Sequence, residues 1–99
     1  MLDIKFTAQV WEIVTGKTVY VLRGHTRNIS DTTFSLDGKY IFTTSNDKTV
    51  KVWDIDTGLE LCNFTANNPL QCVAADQKDA KRLVVGDAQG HLNWLQLLE

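Results

Sequence analysis

Residues 52–59 (VWDIDTGL) closely repeat residues 10–17 (VWEIVTGK). Trp53 follows Trp11 by 42 residues, and Gly58 follows Gly16 by the same interval. A period of about 40–45 residues is typical of repeated four-stranded antiparallel sheets. Each such sheet is too small to bury both of its faces alone, so neighbouring sheets must stack on it. The repeat therefore predicts small stacked sheets whose function lies on a shared surface.

Short runs of alternating apolar and polar residues predict nine β-strands. The runs are residues 9–14, 18–22, 29–35, 40–45, 49–54, 59–64, 70–75, 82–85 and 91–97. Turns rich in Gly, Asp and Asn separate several of them, as at residues 36–39 and 46–48, and such turns let antiparallel strands follow one another. Because no stretch shows the 3.6-residue period of a capped helix, we expect an all-β, antiparallel fold.

The composition of the chain excludes several classes of protein. Its 99 residues are 43% hydrophobic and carry a net charge of −2, a balance typical of globular proteins. Lys and Arg are scattered, without the basic patch of a nucleic-acid binder, and no apolar run approaches the roughly 20 residues of a membrane span. The first residues also lack the apolar region of a signal peptide. We therefore expect a cytoplasmic protein with no nucleic-acid or membrane partner.

Three motifs follow one another in the central part of the chain. They are Arg23-Gly24-His25, residues 34–38 (FSLDG) and residues 45–54 (SNDKTVKVWD). In this order and spacing they resemble the WD-repeat β-propeller family. The resemblance covers about residues 24–64, and residues 10–22 match the tail of a preceding repeat, with Glu12 in place of the family's Asp. It implies four-stranded antiparallel blades arranged in a ring.

The resemblance divides the chain into three units. Residues 1–23 form the end of a preceding repeat, residues 24–65 a complete repeat, and residues 66–99 a degenerate C-terminal repeat that no Gly-His pair precedes. Nine strands make about two blades, whereas a closed ring needs 4–8 blades of four strands. We expect a partial ring that is unstable or oligomeric by itself. It would be a fragment of a longer propeller, or a homo-oligomer in which an N-terminal strand pair completes the last blade of the next copy.

The resemblance also implies a structural hydrogen-bond network inside the complete repeat. Its members would be His25, Thr43 or Ser45, Asp47 and Trp53. An indole N–H only donates and a carboxylate only accepts, whereas a neutral imidazole and a hydroxyl can relay between them. A network of this kind would fix the strand register.

The same polar residues have rival interpretations. A His-Asp-Ser set supplies the groups of acyl transfer, but no Gly-x-Ser-x-Gly motif frames a nucleophile here. A metal site of His25, Asp31, Asp37 and Asp47 has neither zinc nor calcium-loop spacing. Residues 86–90 carry two glycines without the lysine of a phosphate-binding loop. We therefore predict that the chain is not an enzyme and binds no cofactor or metal.

Cysteine and aromatic residues fall mostly in apolar runs. Cys62 and Cys72 lack a Cys-x-x-Cys spacing, which favours two reduced thiols in the core. The aromatic side chains could form a stacking platform for bases or sugars, but their strand positions favour the core. This set contains Trp11, Phe34, Tyr40, Phe42, Trp53 and Trp94.

These observations favour a non-catalytic protein-interaction scaffold whose partners are other proteins or further WD-repeat blades. The candidate protein-binding loop residues are Arg27, Asn28, Asp31, Asn46 and Lys48. An alternative function comes from residues 85–97 (VGDAQGHLNWLQL). They resemble the closing strands of propellers in apoptosome-like signal-transducing NTPases, which would make the chain a C-terminal sensor or regulatory segment.

Overall fold

A computed structural model describes residues 7–11 and 18–97 of the chain. Within these ranges it contains nine antiparallel strands and no helix, and so no helix that could cross a membrane. The strands are β1 Ala8–Trp11, β2 Thr18–Leu22, β3 Ile29–Phe34, β4 Tyr40–Ser45, β5 Thr49–Asp54, β6 Glu60–Thr65, β7 Leu70–Ala75, β8 Arg82–Asp87 and β9 Leu92–Gln96. The all-β prediction is confirmed. Residues 12–14, predicted as part of the first strand, lie outside the described residues.

The strands form three sheets in chain order. The first sheet is β1-β2, the middle sheet is β3-β4-β5-β6 and the third sheet is β7-β8-β9. Their registers repeat at the sequence period, because Ile41 pairs with Trp53 in the middle sheet and Leu83 pairs with Leu95 in the third, 42 residues further on. The first and middle sheets also share a β-bulge just before the tryptophan of the repeated motif. The repeat seen in the sequence is thus a repeat of strand pairing.

The two central strands of the middle sheet, β4 and β5, are buried on both faces. One face packs on the first sheet through a cluster of Leu22, Ile41 and Trp53. The other face packs on the third sheet through a larger cluster, formed by Phe42, Val50, Val52, Leu70, Val73, Leu83 and Val85. Alternation explains this arrangement, since successive residues of β4 and β5 point to opposite faces of the sheet. The complete repeat therefore lies between the two incomplete ones.

The turn between β4 and β5 places a lysine in a left-handed conformation. Lys48 has φ 75°, and Gly90, which follows it by 42 residues in the β8–β9 turn, has φ 84°. Positive φ is natural for glycine and costs energy for a residue with a Cβ. The two blades thus use the same turn with different residues.

Several residues predicted to be buried are exposed. Cys62 and Cys72 are free, exposed thiols, which contradicts their prediction as core residues. Among the aromatic residues, Trp53 and Phe42 are buried as predicted, whereas Phe34 and Trp94 are 56% and 57% exposed. Cys72 and Trp94 stand on the face of the third sheet that no described sheet covers. Phe34 and Cys62 lie on β3 and β6, which are the two edge strands of the middle sheet.

Candidate functional site: a buried polar network and an open sheet face

A chain of hydrogen bonds connects two strands and two loops of the middle sheet. His25 lies in the loop before β3, with its Nδ1 2.9 Å from Asp47 Oδ2 and its Nε2 2.6 Å from Thr43 Oγ1. Trp53 donates its indole N–H to the same Thr43 oxygen at 2.8 Å. Because the Asp47 carboxylate only accepts, His25 Nδ1–H donates to it, and the Nε2 of the neutral ring then accepts the hydroxyl proton of Thr43. The chain runs from Trp53 through Thr43 and His25 to Asp47.

The end of this network is an anchored carboxylate. Asp47 accepts the backbone N–H groups of Thr26 and Thr49 and the Thr49 hydroxyl. Burial alone would raise the pKa of Asp47, but the hydrogen bonds from Thr49, His25 and Thr26 lower it to about 2. Burial also lowers the pKa of His25, against the opposing effect of Asp47. The network therefore holds a neutral imidazole against a charged carboxylate.

Ser45 has a different position from the other predicted members. Its hydroxyl contacts the backbone carbonyls of Arg27 and Asn28 and accepts the N–H of Asp47. Of the two relay candidates, Thr43 is therefore the one that joins histidine to tryptophan. Thr49 was missing from the predicted set, although its place two residues after Asp47 is the pattern by which an Asp side chain bonds a nearby backbone N–H.

The geometry bears on the rival interpretations of the same residues. Both ring nitrogens of His25 are engaged, and Thr43 and Ser45 are fully buried. Asp31 lies in β3, where it accepts the N–H of Val73 from the third sheet. Within residues 7–11 and 18–97, no group of three His, Cys, Asp or Glu is arranged to hold a metal ion. The network can therefore order the fold, and its buried hydroxyls cannot reach a substrate from solvent.

Four of the five predicted loop residues share one end of the middle sheet. Arg27 and Asn28 precede β3, and Asn46 and Lys48 lie in the β4–β5 turn, all of them exposed. A backbone hydrogen bond from Asn46 to the Asn28 carbonyl joins the two segments. The placement of Asp31 in a loop was wrong, because it is a strand residue that links two sheets.

The third sheet has lost the network at the corresponding positions. Val85, Gln89 and Leu95 stand 42 residues beyond Thr43, Asp47 and Trp53. Instead, Asp87 accepts the backbone N–H of His91 and contacts the His91 ring at 3.1 Å. Burial would raise the pKa of Asp87, but these contacts and others lower it to about 2. Asp87 is the last residue of β8, and no motif in the sequence indicated that its carboxylate would be an acceptor.

One face of the third sheet has no described neighbour. Leu83, Val85 and Leu95 point to the core, so the alternate residues of the sheet point away from it. We call this surface the far face and define it by Cys72, Ala74, Val84, Leu92 and Trp94. Leu92 is 72% exposed, and the guanidinium of Arg82 lies 4.2 Å above the Trp94 ring. The far face is the most apolar open surface of the third sheet.

Comparison with known proteins connects this architecture with a family. Residues 25–97 match the model of the TEP-1 C-terminal β-propeller. The chain belongs to this family of WD-repeat β-propellers. It is 39% identical over 49 residues to the nuclear distribution protein PAC1-2 of Uncinocarpus reesii, covering 50% of this chain and 11% of that protein. It is 32% identical over 81 residues to a homolog of vacuolar protein sorting-associated protein 41 from Arabidopsis thaliana, covering 78% of this chain and 8% of that protein.

A solved structure confirms the propeller fold. The β-propeller domain of Cps50 (Swd1) from Myceliophteria thermophila superposes with a TM-score of 0.86 at 19% identity. The superposition covers 94% of this chain and 30% of that domain's chain. This WD-repeat chain therefore spans under a third of each of these propeller proteins. The predicted family and fold class are both confirmed.

Proposed function

We propose that the chain is a non-catalytic protein-interaction scaffold that works as a segment of a larger propeller. The single observation that carries this proposal is the open, apolar far face of the third sheet. An apolar face of this kind on a small sheet marks a site of contact with another protein surface. Membership of the WD-repeat family supports the same function.

The far face corresponds residue by residue to a surface that is already covered in this chain. Val84, Leu92 and Trp94 each follow a buried residue of the middle sheet by 42 positions. The buried counterparts are Phe42, Val50 and Val52, which the third sheet covers. Because the strand registers agree, a further blade can stack on the far face as the third sheet stacks on the middle one. The partner is therefore another blade or another protein.

The way in which copies would combine follows from the strand count. The third sheet has three strands, one fewer than the middle sheet, whereas the first sheet has two. If the strand pair of one copy joined the last sheet of the next copy edge to edge, the combined sheet would have five strands, one more than the middle sheet. In a homo-oligomer, the copies would therefore stack face to face through the far face.

The hydrogen-bond network and the loops of the middle sheet have separate roles in this scaffold. The network from Trp53 to Asp47 serves to fix strand register, and the exposed residues Arg27, Asn46 and Lys48 are candidates for protein contact at one end of the sheet. The net charge of −2 supports partners other than nucleic acid. A cytoplasmic location, without a membrane partner, accords with the two reduced, unpaired cysteines.

Light scattering coupled to size-exclusion chromatography tests this function. We expect the purified chain to show a mass above its 11.2 kDa monomer at micromolar concentrations. Trp94→Lys should shift it towards the monomer by placing a charge on the far face. Phe34→Lys is the matched control, because Phe34 is equally exposed, at 56% against 57%, but lies on β3. A compact wild-type monomer that binds no hydrophobic dye would refute the proposal.

The alternative of a regulatory segment in a signal-transducing NTPase stays a prediction. It depends on the resemblance of residues 85–97 alone. A Gly-x-x-x-x-Gly-Lys-Ser/Thr loop encoded upstream in the same reading frame would support it.

A further inference from the structure

We propose that Arg82 and Trp94 form the recognition element of the far face, and that they bind a sheet surface of a partner protein with an Asp or Glu side chain opposite Arg82. The inference rests on the proposed scaffold function, and it names the chemistry of the partner at the same face. The partner's carboxylate would accept hydrogen bonds from the guanidinium, while apolar side chains around it cover the Trp94 ring.

The cation and the ring lie side by side on the third sheet. Arg82 pairs with Gln96 and Val84 pairs with Trp94, so Arg82 and Trp94 are diagonal neighbours on one face. The guanidinium carbon lies 4.2 Å from the centroid of the Trp94 ring, well within the distance of about 6 Å at which a ring attracts a cation. The pair is therefore already formed in the chain without a partner.

The guanidinium of Arg82 has hydrogen-bond donors left for a partner. Its N–H groups lie in the plane of the group and form a fork that matches a carboxylate. Contact with an aromatic ring uses the face of the guanidinium and leaves these N–H groups free. Among the residues that the structure describes, no carboxylate forms an ion pair with Arg82. The N–H groups are thus open to an acceptor from another protein.

The covered face of the middle sheet shows where this pair would lie in a complex. Tyr40 and Val52 precede Arg82 and Trp94 by 42 residues, and the strand registers of the two sheets agree at these positions. Val52 is buried under the third sheet, and Tyr40 packs, partly buried, against the same core cluster. A surface that stacks on the far face in the same way would bury Trp94 and partly bury Arg82.

Partial burial determines what Arg82 requires from the partner. A covering surface removes water from the guanidinium, and a charge that loses its water costs energy unless an opposite charge pairs with it. A carboxylate can bind arginine through a pair of parallel N–H···O bonds, which adds geometric specificity to the attraction. Apolar side chains around this contact exclude water and strengthen it. An acidic residue within an apolar surface is therefore the complement of the far face.

The same comparison favours a partner that differs from the blades of this chain. Beside Tyr40, the third sheet contributes Gln96 and Leu97 to a cavity of about 430 Å³. None of the described residues that line this cavity is acidic. A covering surface with the residues of the third sheet would therefore leave Arg82 without a carboxylate. The occupant is accordingly a different protein, and a second copy that binds through another surface is the alternative that the tests distinguish.

Selection from a library determines the chemistry of the partner before its identity is known. The probe is a disulfide-cyclised β-hairpin displayed on phage, with the residues of one face randomised. Hairpins are selected for binding to the full chain, and those that bind Trp94→Lys equally well are discarded. We expect Asp and Glu to be enriched at one position of the randomised face, because one carboxylate satisfies Arg82.

A reversal of charge on the chain tests whether Arg82 causes this enrichment. On Arg82→Glu, the same hairpin position should be enriched in Lys and Arg. Arg27→Glu is the matched control, because it makes the same change of charge at an exposed arginine in the loop before β3. On this control, the position should stay enriched in Asp and Glu.

The affinity of one selected acidic hairpin then measures the contact. We expect Arg82→Gln to weaken its binding about tenfold, and Arg27→Gln to change it less than about twofold. Replacing the hairpin's acid by its amide should also weaken binding about tenfold, and should have little further effect on Arg82→Gln. Arg82 is exposed, and its backbone bonds to Asp76 and Asp79 do not involve its side chain. Circular dichroism confirms that the variants fold.

The opposite results overturn the inference. Selected hairpins without an enriched acid, no hairpin specific for the far face, or equal binding to Arg82→Gln would show that Arg82 is not the recognition element. Self-association that Arg82→Gln abolishes, with no hairpin bound, would identify a second copy as the occupant instead.

The scaffold function is tested separately, because it depends on the response of self-association to Trp94→Lys. Loss of self-association in Trp94→Lys, together with hairpins that bind Arg82→Gln as well as the unchanged chain, would keep the far face and reject the acidic partner. Self-association that Trp94→Lys leaves unchanged, with no hairpin bound, would reject both.

Discussion

Replacing Thr43 by valine should break the buried hydrogen-bond network while leaving the volume of the side chain almost unchanged. Thr43 is fully buried, and its hydroxyl is the one link between the Trp53 indole, 2.8 Å away, and the His25 ring, 2.6 Å away. Valine keeps the shape but leaves two buried polar groups without a partner. At about 1–3 kcal/mol for each stranded group, we expect Thr43→Val to lower the free energy of unfolding by about 2–6 kcal/mol.

The neighbouring threonine gives a matched control for this variant. Thr44 is also fully buried, but its hydroxyl bonds to Ser30, which is exposed and donates to the Leu70 carbonyl as well. Thr44→Val therefore strands no buried group and should cost less than about 1 kcal/mol. Urea titrations of both variants at one protein concentration measure these two losses in unfolding free energy. The comparison requires that the unfolding free energy depend on urea concentration with the same slope in both variants. Equal losses for the two variants would show that the network does not stabilise the blade.

Two further predictions concern the turns and the response to acid. Gly58 and Gly38 share φ 72°, but a Cβ at Gly58 would lie 2.5 Å from a ring carbon of the β2 tyrosine, whereas at Gly38 it meets nothing within 4 Å. Gly58→Ala should therefore cost about 1–3 kcal/mol more than Gly38→Ala in thermal unfolding, and equal losses would place the first sheet elsewhere. Because the pKa of His25 is lowered in the folded chain, its imidazole is protonated below about pH 6.5 in the unfolded chain but stays neutral to a lower pH in the folded chain. Unfolding free energy should thus fall from pH 7.5 to 5.5 in urea titrations, and a flat profile would contradict this. A second loss of about 1–2 kcal/mol is expected below pH 4, because the pKa of Asp47 is about 2 in the folded chain against 3.8 unfolded.

The candidate site was only partly accessible from the sequence. The pattern of the repeat pointed to His25, Asp47 and Trp53, and the structure brings all three into one hydrogen-bond chain. The pattern of the repeat could not distinguish Thr43 from Ser45, because both hydroxyls lie on β4 and on the same face of that strand. Which of them meets the indole depends on the register with β5, where Thr43 pairs with Lys51, two residues from Trp53. That register is a property of the folded sheet.

The sequence by itself determined the strands and their period. Alternation along nine short runs sets which residues share a face, and the interval of 42 residues between Trp11 and Trp53 sets the size of the repeating sheet. Both properties can be read from the order of residues alone, since the first depends on neighbouring residues and the second on a repeated sequence motif.

Only the tertiary structure decided which faces are covered. Phe42 and Val84 stand at equivalent positions, but a third sheet covers Phe42 and nothing described covers the far face that carries Val84. The same difference leaves Trp94 exposed and places Asp31 in a hydrogen bond between two sheets. Burial depends on which neighbour is present and on how it stacks, so the pattern of a single strand cannot contain it.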